Sequence, residues 1–149
     1  MKHYTYIDPS LEEEKVLIYA KERNKIVGEI EELVDSDGIN LIGVDEESRD
    51  NETVKLNPIE VACFISENNK VYALVDKKRY RIKEKLYMLE EMSFKSYYVR
   101  LNQSCIANMK HISKFASSIG GALLVMFDNG YSDYIARREL KNVKERMGL

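Results

Sequence analysis

Residues 97–111 bring hydrogen-bonding groups together on what reads as a loop tip between apolar segments. Tyr98-Val99-Arg100-Leu101 alternates like a strand, with Val99 and Leu101 on one face and Tyr98 and Arg100 on the other. Asn102, Gln103 and Ser104 break that alternation before the apolar Cys105-Ile106-Ala107, and Arg100 and Lys110 flank the triplet. A short polar loop between apolar segments suits hydrogen bonding to phosphates and base edges better than catalysis. Asn102 and Gln103 can each bond adenine bidentately, and Arg137 or Arg138 can take guanine O6/N7 or a phosphate. Lys70, Lys110 and Lys114 suit phosphate contacts that carry no sequence information.

Catalysis finds little support. Ser104 and His111 are the nominal nucleophile and base, but nothing marks an orienting carboxylate or an oxyanion hole. Gly120-Gly121 lacks the spacing of a phosphate-cradling loop. With His3 and His111 as the two imidazoles, and no CxxC or HExxH, no metal or cofactor is expected, nor a small-molecule substrate. Cys63 and Cys105 lie in apolar segments and read as buried free thiols. Tyr72, Tyr80, Tyr87 and Tyr98 fall where sheets and helices bury aromatics, so core packing is expected rather than stacking on bases.

The net charge of −2 over 149 residues conceals an asymmetry. Residues 1–54 carry 6 Lys/Arg against 15 Asp/Glu, while residues 55–149 carry 17 against 10. Such a split fits a nucleic-acid-facing part joined to an acidic one. The longest uncharged apolar runs, 16–20 and 119–127, are far below the roughly 20 residues that span a bilayer, and no signal peptide is visible, so a cytoplasmic location is expected.

The elements that must position these groups follow from local pattern. Residues 3–7 alternate as a short strand, Asp8-Pro9-Ser10 is a turn, 11–15 could start a helix, and 16–20 resembles a buried strand. Ile26, Val27, Ile30, Leu33 and Val34 make one apolar stripe on a helix over 24–35, read as packing more than as a dimer face, and 35–38 ends it. A strand at 41–44 precedes a polar, acidic loop at 45–51, the expected boundary between an extension (1–50) and the main domain (54–149). From Val54 a β-meander is expected: strands at 59–65, 71–75 and 79–82, with a tight turn at Asn68-Asn69. A two-turn helix over 83–92 and a connector at 92–96 lead to the opening stretch. Strands at 112–116 and 121–127 follow, separated by 117–120. Asn129-Gly130 then predicts a type I′ hairpin, 131–136 the returning strand, and Leu140, Val143 and Met147 a closing helix. No helix-turn-helix pair appears, so a duplex would be read by loops. On chemistry alone a non-catalytic protein-binding β-domain stays open beside DNA binding.

At this point the chain resembles the LytTR-type DNA-binding domain of bacterial transcriptional regulators, over roughly residues 54–148. The likeness rests on Tyr98 to Ile112, similar to the family's F-[IV]-R-[IV]-H-[RK]-S-[YF]-[IL]-[VI]-N-L-xx-I pattern, and on Asp128-Asn129-Gly130 with Ile135 to Leu140 near the end. It implies an elongated, mainly antiparallel β fold with few short helices, preceded here by a small α/β extension. It also implies loops set into successive major grooves of promoter direct repeats. Carried over by position, the contacts are Asn68, Asn69 and Lys70, then Asn102, Gln103 and Ser104, then Arg137, with Arg100, Lys110 and Arg138 beside them. Asn102 stands where the family has His, Gln103 where it has a basic residue, Ala136 where it has Ser, and Cys105 where it has an aromatic. The extension is short for the receiver domain the family often carries, which implies a stand-alone regulator. The extension would be regulatory or dimerising, making a homodimer, and some stand-alone members are restrained by a small membrane protein.

Overall fold

The computed structural model describes residues 2–35, 40–92, 97–118 and 120–149. Among the described residues ten strands form two antiparallel sheets. In the larger lie β1 (Leu41–Asp45), β2 (Glu52–Leu56), β3 (Cys63–Glu67), β4 (Lys70–Val75), β5 (Lys78–Ile82), β6 (Tyr98–Asn102) and β7 (Cys105–Asn108), in the order β2-β1-β5-β4-β3-β7-β6. In the smaller, β8 (Ile112–Ser117), β9 (Leu123–Phe127) and β10 (Ser132–Ile135) run in the order β10-β9-β8. Among the described residues three α-helices accompany them: α1 (Lys25–Asp35), α2 (Leu86–Glu90) and α3 (Arg137–Met147).

Strand alternation sends side chains to two cores. Phe64, Val71, Ala73, Tyr98 and Ile106 face one side of the large sheet with Leu86 and Leu89 of α2. Their neighbours Cys63, Tyr72, Leu74, Val99, Leu101, Cys105 and Ala107 face the other, covered by Val125, Phe127 and Ile135 of the small sheet and Val143 of α3. The central strands are therefore apolar on both faces, because each face is roofed. Gly43 shows how tightly β1 is wedged. A Cβ there would meet Leu56 Cδ1 at 2.6 Å and Tyr80 Cβ at 2.7 Å.

Several expectations fail, each for a tertiary reason. Residues 3–7 and 16–20 are not strands, and 11–15 starts no helix. Leu17 and Tyr19 are exposed, because among the described residues no strand pairs with theirs. The helix at α1 forms, but of its apolar stripe only Val27 is buried; Ile26, Leu33 and Val34 are exposed. The strand expected from Ile59 begins at Cys63, since Asn57 caps a 3-10 turn over Pro58–Glu60 by accepting from the Ile59 N–H at 3.2 Å. The helix expected over 83–92 shortens to Leu86–Glu90, and Tyr87 is 65% exposed rather than in the core.

The type I′ turn lies at Asn68-Asn69, with φ of 53° and 62°. At residues 128–130 only Gly130 has positive φ (89°), giving a three-residue loop instead of the expected I′ hairpin. Both cysteines are free and buried. The expected turn at 35–38, the connector at 92–96 and the turn at 117–120 fall wholly or partly outside the described residues. β1 lies on the N-terminal side of the expected boundary at 45–51, yet pairs with both β2 and β5.

Candidate nucleic-acid interface

Three turns and termini meet at one end of the large sheet. β3 runs antiparallel to β7, so the β3–β4 turn at Asn68-Asn69 and the β6–β7 turn at Gln103-Ser104 emerge side by side. The Ser66 N–H donates to Ser104 O at 2.8 Å and ties them together. The Ala136 N–H donates to Leu101 O at 2.8 Å, which brings the start of α3 to the same place.

Asn102 is the joint. It is 2% exposed, and its side-chain amide donates to Asp133 Oδ1 (3.0 Å) and Tyr134 O (2.8 Å). Its Oδ1 accepts from the Ser104 N–H at 2.8 Å. A β-bulge between Arg100 and Asn102 bends β6 just where Asn102 turns toward β10. Expected to read bases, Asn102 instead spends its amide inside the protein. Arg100 is likewise internal: Nε donates to Asn102 O (2.8 Å), one terminal nitrogen to Gln103 O (3.0 Å) and the other to Glu90 Oε1 (2.5 Å). It braces the turn from behind. Asp133 holds the other side, accepting from the Tyr134 N–H (2.8 Å) and the Tyr131 hydroxyl (3.0 Å). Burial, then the Asp133 charge, pushes the Tyr131 phenol upward, so it stays a donor.

What this end presents outward is Asn68, Asn69, Lys70, Gln103, Ser104, Arg137 and Arg138, all exposed. Arg138 pairs loosely with Glu139 at 3.7 Å. Ala136 gives α3 no side-chain cap, so no capping side chain takes up the first backbone N–H groups of that helix. Lys83 went unnoticed in the sequence. Ile82 pairs with Val71, so Lys83 leaves β5 at this same end and is exposed. The signal was positional, requiring the β4–β5 register.

Lys110 does not join them. It follows the far end of β7, in a 3-10 turn (Met109–His111) capped by Asn108, with Nζ 5.6 Å from the Tyr97 ring. Ser104 and His111 also lie at opposite ends of β7. The two ring nitrogens of His111 face Asp128 Oδ2 and Ile59 O, both at 2.9 Å, so the pair forms no nucleophile and base. Among the described residues no three His, Cys, Asp or Glu side chains group as metal ligands, and no helix is long and apolar enough to cross a membrane, which says nothing of a β-barrel.

Comparison with known proteins bears on this arrangement. The family model described as the LytTr DNA-binding domain matches residues 51–148. Relatives include two uncharacterised HTH-type transcriptional regulators of Staphylococcus aureus, from strains NCTC 8325 and COL, each 28% identical over 100 residues and covering 67% of this chain and 67% of the relative. Among solved structures, the LytTr DNA-binding domain of a Bacillus cereus protein superposes with a TM-score of 0.65 at 18% identity, covering 75% of this chain and 100% of that one. At that identity the likeness is one of fold.

Proposed function

This chain belongs to the LytTr DNA-binding domain family, and from that premise we propose that it is a non-catalytic transcriptional regulator that grips duplex promoter DNA by one end of its large sheet. The β3–β4 turn, the β6–β7 turn and the start of α3 enter successive major grooves. The observation that supports this most is their convergence through the Ser66–Ser104, Asn102–Tyr134 and Ala136–Leu101 hydrogen bonds. In this reading Gln103 and Arg137 reach base edges. Lys70, Lys83, Arg138 and the backbone N–H groups of α3 take phosphates. Asn102 and Arg100 position the β6–β7 turn, and Lys110 plays no part in the contact.

The proposal places the regulator in the cytoplasm, in pairs on direct repeats. Residues 1–50 then serve as the regulatory or dimerising extension, where a restraining membrane protein would also dock. The apolar side chains left exposed at Tyr6, Ile7, Leu17 and Tyr19 support such a role. Fluorescence anisotropy on duplexes carrying direct repeats tests the DNA reading. Log Kd should rise linearly with log salt, and Arg137→Ala should cost about 1–3 kcal/mol while relaxing sequence preference. A loss that is uniform across sequences makes Arg137 a phosphate contact. Duplex binding that is absent or indifferent to salt favours a protein-binding domain instead.

A further inference from the structure

Lys110, displaced from the DNA end, has company where it lies. A cavity of about 440 Å³ opens between α1, the 3-10 turn after β7 and the C-terminal turn of α3. Each element brings one cation to its lining: Lys25, Lys110 and Arg146, the last held by donating from its guanidinium to Tyr98 O. Tyr97, Met109 and Met147 supply an apolar wall, and among the described residues Glu29 is the carboxylate of the lining. The Lys110 ammonium stands over the Tyr97 ring, which fixes its place.

Gly28 is an independent sign. It sits inside α1, where glycine is less stable than alanine. Nothing in the packing asks for it: a Cβ there would meet no atom within 4 Å, and its φ is not positive. What the missing side chain does is leave the cavity open.

We propose that this cavity is a binding site for a small organic anion, a carboxylate or phosphate on a compact apolar body. Its volume falls within the roughly 300–1,000 Å³ of small-molecule pockets. Among the described residues Lys25, Lys110 and Arg146 outweigh Glu29, which favours negative charge, and the thioethers and aromatic ring favour an apolar body. The site is separate from the proposed DNA contact, since the four residues of β7, roughly 13 Å of strand, lie between them. An occupant would bridge α1 to the C-terminal turn of α3, whose first residue, Arg137, stands at the DNA end.

The full chain, without DNA, is titrated with phenyl phosphate and, as a neutral match, with benzyl alcohol, by calorimetry. Saturable binding of the anion alone is expected, at least tenfold weaker in Lys25→Ala and in Lys110→Ala and unchanged in Arg137→Ala. Gly28→Leu should abolish binding while raising Tm, a combination that damage to the fold would not produce. The proposal is overturned by absence of saturable binding, by equal binding of the alcohol, or by Gly28→Leu binding as well as the parent. It is also overturned if Arg137→Ala weakens phenyl phosphate equally, or if Lys110→Ala weakens duplex binding as much as Arg137→Ala does, since the cations would then serve the DNA backbone. Because the probe is read without DNA, failure here leaves the DNA reading standing.

Discussion

Asn102 and Gln103 are neighbours with the same functional group and opposite fates. Gln103 points to solvent from the turn, while Asn102 satisfies three internal partners. Asn102→Ala removes three bonds from a side chain that is itself buried and leaves the part-buried Tyr134 O and Ser104 N–H without theirs, so a loss of about 1–2 kcal/mol is expected by urea denaturation. Gln103→Ala should leave the urea midpoint unmoved and change duplex preference alone. A buried pair of a different kind controls alkaline stability. The hydrogen bond to Cys63, then burial, raises the Cys105 thiol well above its ordinary 9.0, and burial raises Tyr98 above 10.0. Both are held neutral in the fold and ionise more readily when unfolded. Their stabilisation is complete below those ordinary values and is lost as pH climbs toward the raised ones. Tm followed by circular dichroism should therefore begin to fall near pH 9 and fall more steeply beyond 10. A flat profile through pH 11 would contradict it.

Elements here are decided by what they pack on. β1 exists as a strand because β2 and β5 flank it, and Gly43 is the one residue that lets Leu56 and Tyr80 close over it. Gly43→Ala should cost about 1–3 kcal/mol, read from a chemical melt, because β-carbon contacts of 2.6 and 2.7 Å force Leu56 and the backbone near Tyr80 to move. The run at 16–20 is the converse case. Its composition is as β-forming as that of β4, yet no neighbour pairs with it among the described residues, so it stays irregular and exposed. Turn chemistry behaves the same way. Asn68-Asn69 takes the I′ geometry because β3 and β4 stay in register right up to it. At Asn129-Gly130 the loop is held from outside instead, by Lys77 Nζ donating to Asn129 O at 2.6 Å.

Over the whole molecule the charge asymmetry acquires direction. Lys70, Lys83, Arg137 and Arg138 stand at one end, and residues of the acidic N-terminal segment, exposed for the most part, line a cavity with Asn57 and Ile59 at the other. If Lys83 contacts a phosphate, Lys83→Ala should weaken duplex binding evenly across sequences and lower the salt slope by about 0.9, measured by anisotropy between 50 and 200 mM salt in roughly equal log steps. An unchanged slope would remove Lys83 from the interface. Much of this was legible in the sequence: the meander, α1, α3, the two buried thiols and the turn at Asn68-Asn69. Hydrophobic period, turn residues and capping are local properties, so one strand of text suffices to read them. The sequence could not say that Asn102 and Arg100 would turn inward, that Lys110 would leave the loop it flanks, or that Lys83 would arrive beside it. Those outcomes depend on strand register and on which face of a sheet is roofed, and both are fixed by contacts between residues far apart in the chain.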